Sequence, residues 1–175
     1  LFEGTSEAGS ATGIVDWGGS AVSASCRLTV GDATEAFDID AVDHLSATGA
    51  ALRSLESVGA LRLTGQVAVG HRVVHGGTTL RDSTGIDADV IHQIGELSSV
   101  APLHNPPALE SIRAAQRLLP GAAHVAVFDT AFYKDLPPHR YVYPLPYDWF
   151  ERWGIRRFGF HGISHAYAVA RAAEF

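Results

Sequence analysis

Four short stretches of this chain carry residues able to do chemistry, and each is suited to meet a charge. In HRVVHGG (His71–Gly77), Arg72 interrupts an otherwise apolar run. A guanidinium near a buried strand end needs an anionic partner, because an unpaired buried charge is prohibitively costly. Two partners fit the pattern. One is a carboxylate of the chain itself; the other is a ligand carboxylate or phosphate gripped by the planar fork. If the odd positions face one side, His71 and Val73 go there, while Arg72 and Val74 share the other. In APLHNPP (Ala101–Pro107), His104 immediately precedes a helix start, where free N–H groups and the macrodipole favour anions. A loop histidine capping the preceding turn would have the same local sequence. Asp129 closes the apolar run HVAVFD (His124–Asp129). Open α/β sheets gather ligands beyond the carboxyl ends of their strands, although an acid there can also cap the turn through Thr130 and Ala131.

The fourth stretch is GFHGISHAY (Gly159–Tyr167). At i, i+4, His161 and His165 could meet on one helix face and bind zinc, as in H-E-x-x-H. That motif uses a Glu after the first His as general base, and here the residue is Gly162. No third ligand cluster is evident in the sequence. Gly162 also places His161 in the turn before the helix, with Ser164 as the candidate N-cap. A zinc hydrolase is therefore the weaker enzyme reading.

The elements that must position these residues read as alternating strands and helices. SASCRLTV (Ser23–Val30) and EAFDIDA (Glu35–Ala41) alternate as strands do. From Asp43 the period changes, and Leu45, Leu52, Leu55 and Val58 share one helical face, with Thr48 interrupting the stripe. Val67–Gly77 is an apolar strand ending in a glycine pair. A helix is expected over residues 88–97. The next opens at Asn105 as N-cap with Pro106 behind it, turns Leu109, Ile112 and Leu119 inward, and stops at Pro120-Gly121. His124–Thr130 is a buried strand. KDLPPHRYVYPLPYDWFERWG, with its prolines and large aromatics, reads as a hinge or crossover rather than a regular element. A last helix is expected from Ser164 to Glu174. The alternation predicts an α/β fold with a layered sheet.

Composition narrows the partners. The chain has 175 residues, is 18% charged and carries a net charge of −6. Phosphate-backbone binding needs a clustered excess of Lys and Arg, so nucleic acid is not the expected partner. Lys134 is the single lysine, and the arginines are scattered apart from Arg152, Arg156 and Arg157. A single cysteine, Cys26, excludes an internal disulfide and fits a reducing compartment. No apolar run reaches a membrane span and no secretory leader is visible, so no membrane role and a cytoplasmic location are expected. There is no methionine, and Leu1 is not a residue left by initiator trimming. The chain reads as a piece of a longer protein.

Taken in order, HRVVHGG, APLHNPP, VAVFDTAF and YPLPYDWFERWGIRRFGFHGISH resemble the acetokinase family of acetate, propionate and butyrate kinases. The likeness is strong from about Val67 to Glu174 and weak upstream. It implies the actin-like ATPase fold, with residues 1–133 as an N-terminal domain lacking its first strand. Residues 134–175 would be a hinge and the start of a second, incomplete domain. The implied reaction is reversible, Mg²⁺-dependent (or Mn²⁺-dependent) phosphoryl transfer from ATP to acetate, giving acetyl phosphate and ADP. By the resemblance, Arg72 binds the acid, and Val74, Leu103 and Phe160 line the apolar pocket for its methyl group. His104 lies near the transferred phosphoryl group, His161 stabilises the transition state, and Asp129 is the essential aspartate. Acetate needs no general base near neutral pH, so Asp129 is expected to orient, or to meet Mg²⁺ through water. His165 is expected to be structural. A homodimer is expected at full length.

Two residues depart from the family pattern: Ile163 replaces the threonine of HGTSH, and Tyr133 replaces a histidine after VFDTAF. The family's N-x-G-S-S-S phosphate loop and its later ATP-binding loops, second arginine and Mg²⁺-binding glutamate have no counterpart here. No ATP-binding or direct metal-binding residue is therefore assigned, and the isolated chain is expected to be inactive. A non-catalytic, anion-binding remnant of the family is the alternative.

Overall fold

The computed structural model describes residues 11–16, 24–59 and 67–175. The chain divides into two compact units, one of residues 1–69 with 110–123 and one of 70–109 with 124–175. Ser23, the first residue of one expected strand, lies outside the described residues.

In the first unit, β1 (Ala11–Asp16), β2 (Ala24–Val30) and β3 (Ala33–Ile39) form an antiparallel meander in the order β1-β2-β3. Ala24, Cys26 and Leu28 are buried, with exposed Ser25 and Arg27 between them, so β2 has the period of a strand with one covered face. Helix α1 (His44–Ser57) begins in a capping box: Asp43 Oδ1 accepts from the Ser46 amide at 2.7 Å, and the Asp43 amide donates to Ser46 Oγ at 3.2 Å. Its buried residues are Ala47, Gly49 and Ala50. The expected stripe is thus corrected: Leu45, Leu52 and Leu55 are only half-buried, and Val58 is exposed. Small side chains allow close packing, and Ala47 joins Ala24 and Ala41 in a cluster with Val15 and Ile39 against it.

The second sheet has the order β4-β6-β5, with β4 at Ala68–Val73, β5 at Thr84–Gly85 and β6 at Ala123–Phe128. The Ala123 amide donates to the Val67 carbonyl, and the Asp129 amide to the Val73 carbonyl, each at 3.0 Å. The constant offset means that β4 and β6 run parallel. Their carboxyl ends therefore lie side by side, with Arg72 near one and Asp129 just beyond the other. Strand β5 pairs antiparallel to β6. Within the second unit, Val73, Phe128 and Ile94 are almost fully buried.

Helix α2 (Ala88–Glu96) is capped by Asp87, whose side chain accepts from the Val90 amide at 2.9 Å, and it buries Val90 and Ile94 one turn apart. Helix α3 spans Asn105–Leu118, and Leu109 and Ile112 are buried as expected, while Leu119 is half-buried just past its end. The expected N-cap is displaced. The His104 carbonyl accepts from the Ala108 amide at 3.1 Å, so His104 opens the helix, and the Asn105 side chain is committed elsewhere.

The proline-rich stretch is more regular than expected. It forms the short helices α4 (Pro138–Tyr141) and α5 (Tyr147–Trp153), and a bridge pairs Val142 with Arg156. Helix α6 (Gly162–Ala172) starts before the expected N-cap, so Ser164 lies inside its first turn. The N-cap position is His161, in left-handed backbone at φ 56°. No helix among the described residues is long and apolar enough to cross a membrane.

Candidate active site

Asn105 shapes the floor of the site. It is fully buried, and its side-chain oxygen accepts from the His75 amide at 3.2 Å. Its Nδ2 donates to the carbonyls of His75 (3.1 Å) and Ile94 (3.3 Å). One amide thus satisfies three main-chain groups, two on His75 just past β4 and one on Ile94 in α2. His75, also buried, accepts from the Gly77 amide through Nδ1 at 3.0 Å and sets its ring edge-on to Phe158 and Phe160. Burial pushes the His75 pKa down, which keeps the imidazole neutral.

From β4, Arg72 meets Asp129 in a two-pronged ion pair: Nε to Oδ1 at 3.1 Å and Nη2 to Oδ2 at 2.7 Å. The carboxylate side chain is 1% exposed and the arginine side chain 58% exposed. A buried anion therefore pins a cation whose remaining N–H groups are open to solvent. The hydrogen bonds that Arg72 donates to Asp129, helped by the carboxylate's charge against partial burial, raise the Arg72 pKa above its ordinary value. Of the two partners that the sequence left open, the internal carboxylate is present. The pair leaves Nη1 uncommitted for a second anion.

The Asp129 carbonyl accepts from the Gly162 amide at 2.9 Å. A Cβ at Gly162 would lie 2.2 Å from that oxygen and 2.8 Å from Phe132 Cβ, so the approach admits no side chain. A second tight contact holds the same loop. Gly159, at φ +76°, places its Cα against the Tyr133 ring, where a Cβ would come within 2.4 Å. The Tyr133 hydroxyl bonds to His165 Nδ1 and donates to the Phe160 carbonyl at 3.3 Å. Phe160 and His161 are thereby held beside Arg72 and Asp129.

The result is a cavity of about 480 Å³ lined by all seven residues singled out in the sequence: Arg72, Val74, Leu103, His104, Asp129, Phe160 and His161. Val100, Ala101 and Pro102 complete the wall and were not anticipated. Their signal was the apolar SSVAPL preceding His104. The side chains of His104 and His161 have no hydrogen-bond partner among the described residues. The cavity thus offers one fixed cation, two imidazoles and an apolar wall. That set suits an anion with a short apolar tail.

The paired-histidine zinc motif does not fit this arrangement. His161 is outside the regular helix and His165 is bound to Tyr133. Asp129 has both oxygens on Arg72, and no group of three potential metal ligands occurs among the described residues. Mg²⁺ keeps several waters and is bound through one or two carboxylates with substrate phosphates; with both oxygens on Arg72, Asp129 would meet such an ion through water.

The model of the acetokinase family matches residues 1–175. Among curated relatives, the acetate kinase of Thermotoga maritima is 46% identical over 148 residues, which are 83% of this chain and 37% of that protein. The crystal structure of Porphyromonas gingivalis acetate kinase superposes with a TM-score of 0.77 at 40% identity, covering 86% of this chain and 39% of the other. A propionate kinase from Francisella tularensis gives a TM-score of 0.84 at 32% identity, covering 94% and 42%. The α/β, actin-like ATPase fold implied by the motifs is thereby shown for the part that the chain contains, which is about two-fifths of these relatives. By its sequence motifs, its full-length family match and its fold, the chain belongs to the acetokinase family.

Proposed function

We propose that this chain is the acid-binding part of an acetate kinase, which transfers a phosphoryl group reversibly between ATP and acetate. The observation that supports this reading is the convergence of the seven motif residues on one cavity, with Arg72 fixed by a buried carboxylate. Phosphoryl transfer asks a protein mainly for positioning and charge stabilisation. Arg72 holds the acetate carboxylate through the N–H groups that Asp129 leaves open. Val74, Leu103 and Phe160 receive the methyl group. His104 and His161 offer N–H donors to the equatorial oxygens of the group in flight. Acetate is already ionised near neutral pH, so no side chain has to remove a proton. Asp129 acts by orienting Arg72.

ATP binding and the ligands of Mg²⁺ (or Mn²⁺) belong to parts of the enzyme other than these described residues, and the isolated chain is inactive. The domain division at 133/134, a homodimer of the whole enzyme and a cytoplasmic location belong to the same reading.

The reading is tested by titrating the 175-residue chain with acetate and following backbone amides by NMR. Saturable shifts at Val74, Leu103 and Phe160 are expected, lost in Val74→Phe, which fills the pocket without touching the ion pair. Shifts that survive Val74→Phe unchanged would refute the assignment.

A further inference from the structure

A second cavity, of about 330 Å³, lies within the same unit as the first. Thr130, the residue after Asp129, lines it, and its wall contains no aspartate or glutamate. Donors line it instead. Thr130 is 6% exposed, and its Oγ1 accepts from the Gly76 amide at 3.1 Å, which leaves the hydroxyl hydrogen uncommitted. The Thr78 hydroxyl has no partner among the described residues. Three cations share the wall: Arg81, Lys134 and Arg156.

These cations are not equivalent. Lys134 is paired with Asp82, and Arg81 bonds the Lys134 carbonyl and lies 3.9 Å from Asp135. Both acids stand outside the cavity wall. Arg156 has no carboxylate partner among the described residues. Its Nε donates to the Arg157 carbonyl at 3.3 Å, and its guanidinium sits 3.6 Å from the centre of the Tyr141 ring and 5.2 Å from that of Phe158. Its two Nη groups have no acceptor among the described residues and can donate. Stacking on aromatic faces orients the fork and removes part of its water, which strengthens its pull on an anion.

We propose that this cavity is a second anion site, one that takes a phosphate group, free or as the end of a phosphomonoester, with Arg156 as its principal contact. Donors converge from three chain segments, 78–81, 130–134 and 156. A carboxylate offers two oxygens to such a set, whereas a phosphate offers one to each segment. The space is many times the roughly 30 Å³ share of one water, so it accommodates a small organic group beside Tyr141 and Phe158.

The test is an NMR titration of the 175-residue chain with inorganic phosphate, phenyl phosphate and acetate. Inorganic phosphate is expected to move the amides of Thr78, Thr130 and Lys134 saturably, with affinity falling at least tenfold in Arg156→Gln and less in Arg156→Lys. Shifts at Leu103 and His104 report the first cavity and keep their own affinity in both variants. Tighter binding of phenyl phosphate identifies an ester as the ligand; equal binding identifies free phosphate. If Arg156→Gln loses its folded spectrum, Thr78→Val serves in its place and is expected to weaken phosphate several-fold. Three results would overturn the site: no saturable shift at these amides, an affinity unaffected by the substitution at a folded Arg156→Gln or Thr78→Val, or acetate binding as tightly as phosphate.

Discussion

The carbonyl of Asp129 accepts a hydrogen bond from the amide of Gly162 at 2.9 Å, while the carboxylate of the same aspartate grips Arg72. One residue thereby joins β4, β6 and the start of α6 at the mouth of the cavity. Its main chain and its side chain serve different partners, so the two links can be broken separately.

The main-chain link is broken by Gly162→Ala. The added methyl would meet backbone, which cannot swing aside as a flexible side chain can. Forced overpacking typically costs about 1–3 kcal/mol. A urea midpoint lowered accordingly is expected, with acetate shifts at Phe160 weakened. An unchanged midpoint would show that the loop has room that the geometry denies it.

The side-chain link is tested by Asp129→Asn, which keeps the shape and removes the charge. Hydrogen bonds to charged groups contribute about 1.5–3 kcal/mol, and a loss of that order is expected. Arg72 is expected to lose its fixed orientation, so acetate affinity should fall together with stability. In a cycle with Arg72→Gln, the double variant should lose less than the sum of the two single ones. Additive losses would mean that the pair is not coupled.

Asn105→Leu removes a buried amide of similar size and strands three main-chain groups at once. Each unsatisfied buried group costs about 1–3 kcal/mol. The variant is expected to be unfolded or nearly so at 25 °C by circular dichroism. A melting temperature close to that of the unaltered chain would contradict the role given to Asn105.

Histidines set the acid side of the stability profile. His71 Nε2 and His124 Nδ1 lie 3.0 Å apart, and burial, reinforced by the His124 charge, pushes the His71 pKa down to about 4. The free side chain titrates near 6.5. Between those values the unfolded chain binds a proton that the folded chain refuses, so stability falls as pH is lowered from about 6.5 to about 4 and levels off below. His75 is shifted in the same direction by burial. Urea midpoints at pH 7, 5.5 and 4.5 should decline in that order, and less steeply in His71→Asn. A flat profile across this range would exclude the effect.

Arg72, His104, Asp129 and His161 were legible as residues, because few side-chain types meet a charge in those settings, whereas Val74, Leu103 and Phe160 were legible only through the family resemblance. Helix existence was legible too, from the helical pattern over residues 88–97 and from Leu109 and Ile112 of α3, which are buried. Long-range partners were not. Asn105 reads locally as an N-cap, but its amide is drawn to His75 and Ile94, to which no local pattern points. The leucines of α1 have helical spacing, yet the sheet takes the alanine face because small residues let the two approach. Ser164 is a good capping residue, and the helix still begins earlier, where the Asp129 carbonyl supplies a fixed acceptor for the Gly162 amide. Tyr133 read only as a departure from the family pattern; in the structure it ties His165 to the Phe160 carbonyl.

The cavity wall has two origins. Arg72 and Asp129 issue from neighbouring parallel strands and are locked to each other, whereas Val100 to Leu103 form a turn whose Val100 and Leu103 are largely exposed. Changes in that turn can lengthen or shorten the cavity without moving the guanidinium that Asp129 fixes. The locked pair and the exposed turn are thus separate parts of one wall, and a substitution in the turn can reshape the cavity while the ion pair stays fixed.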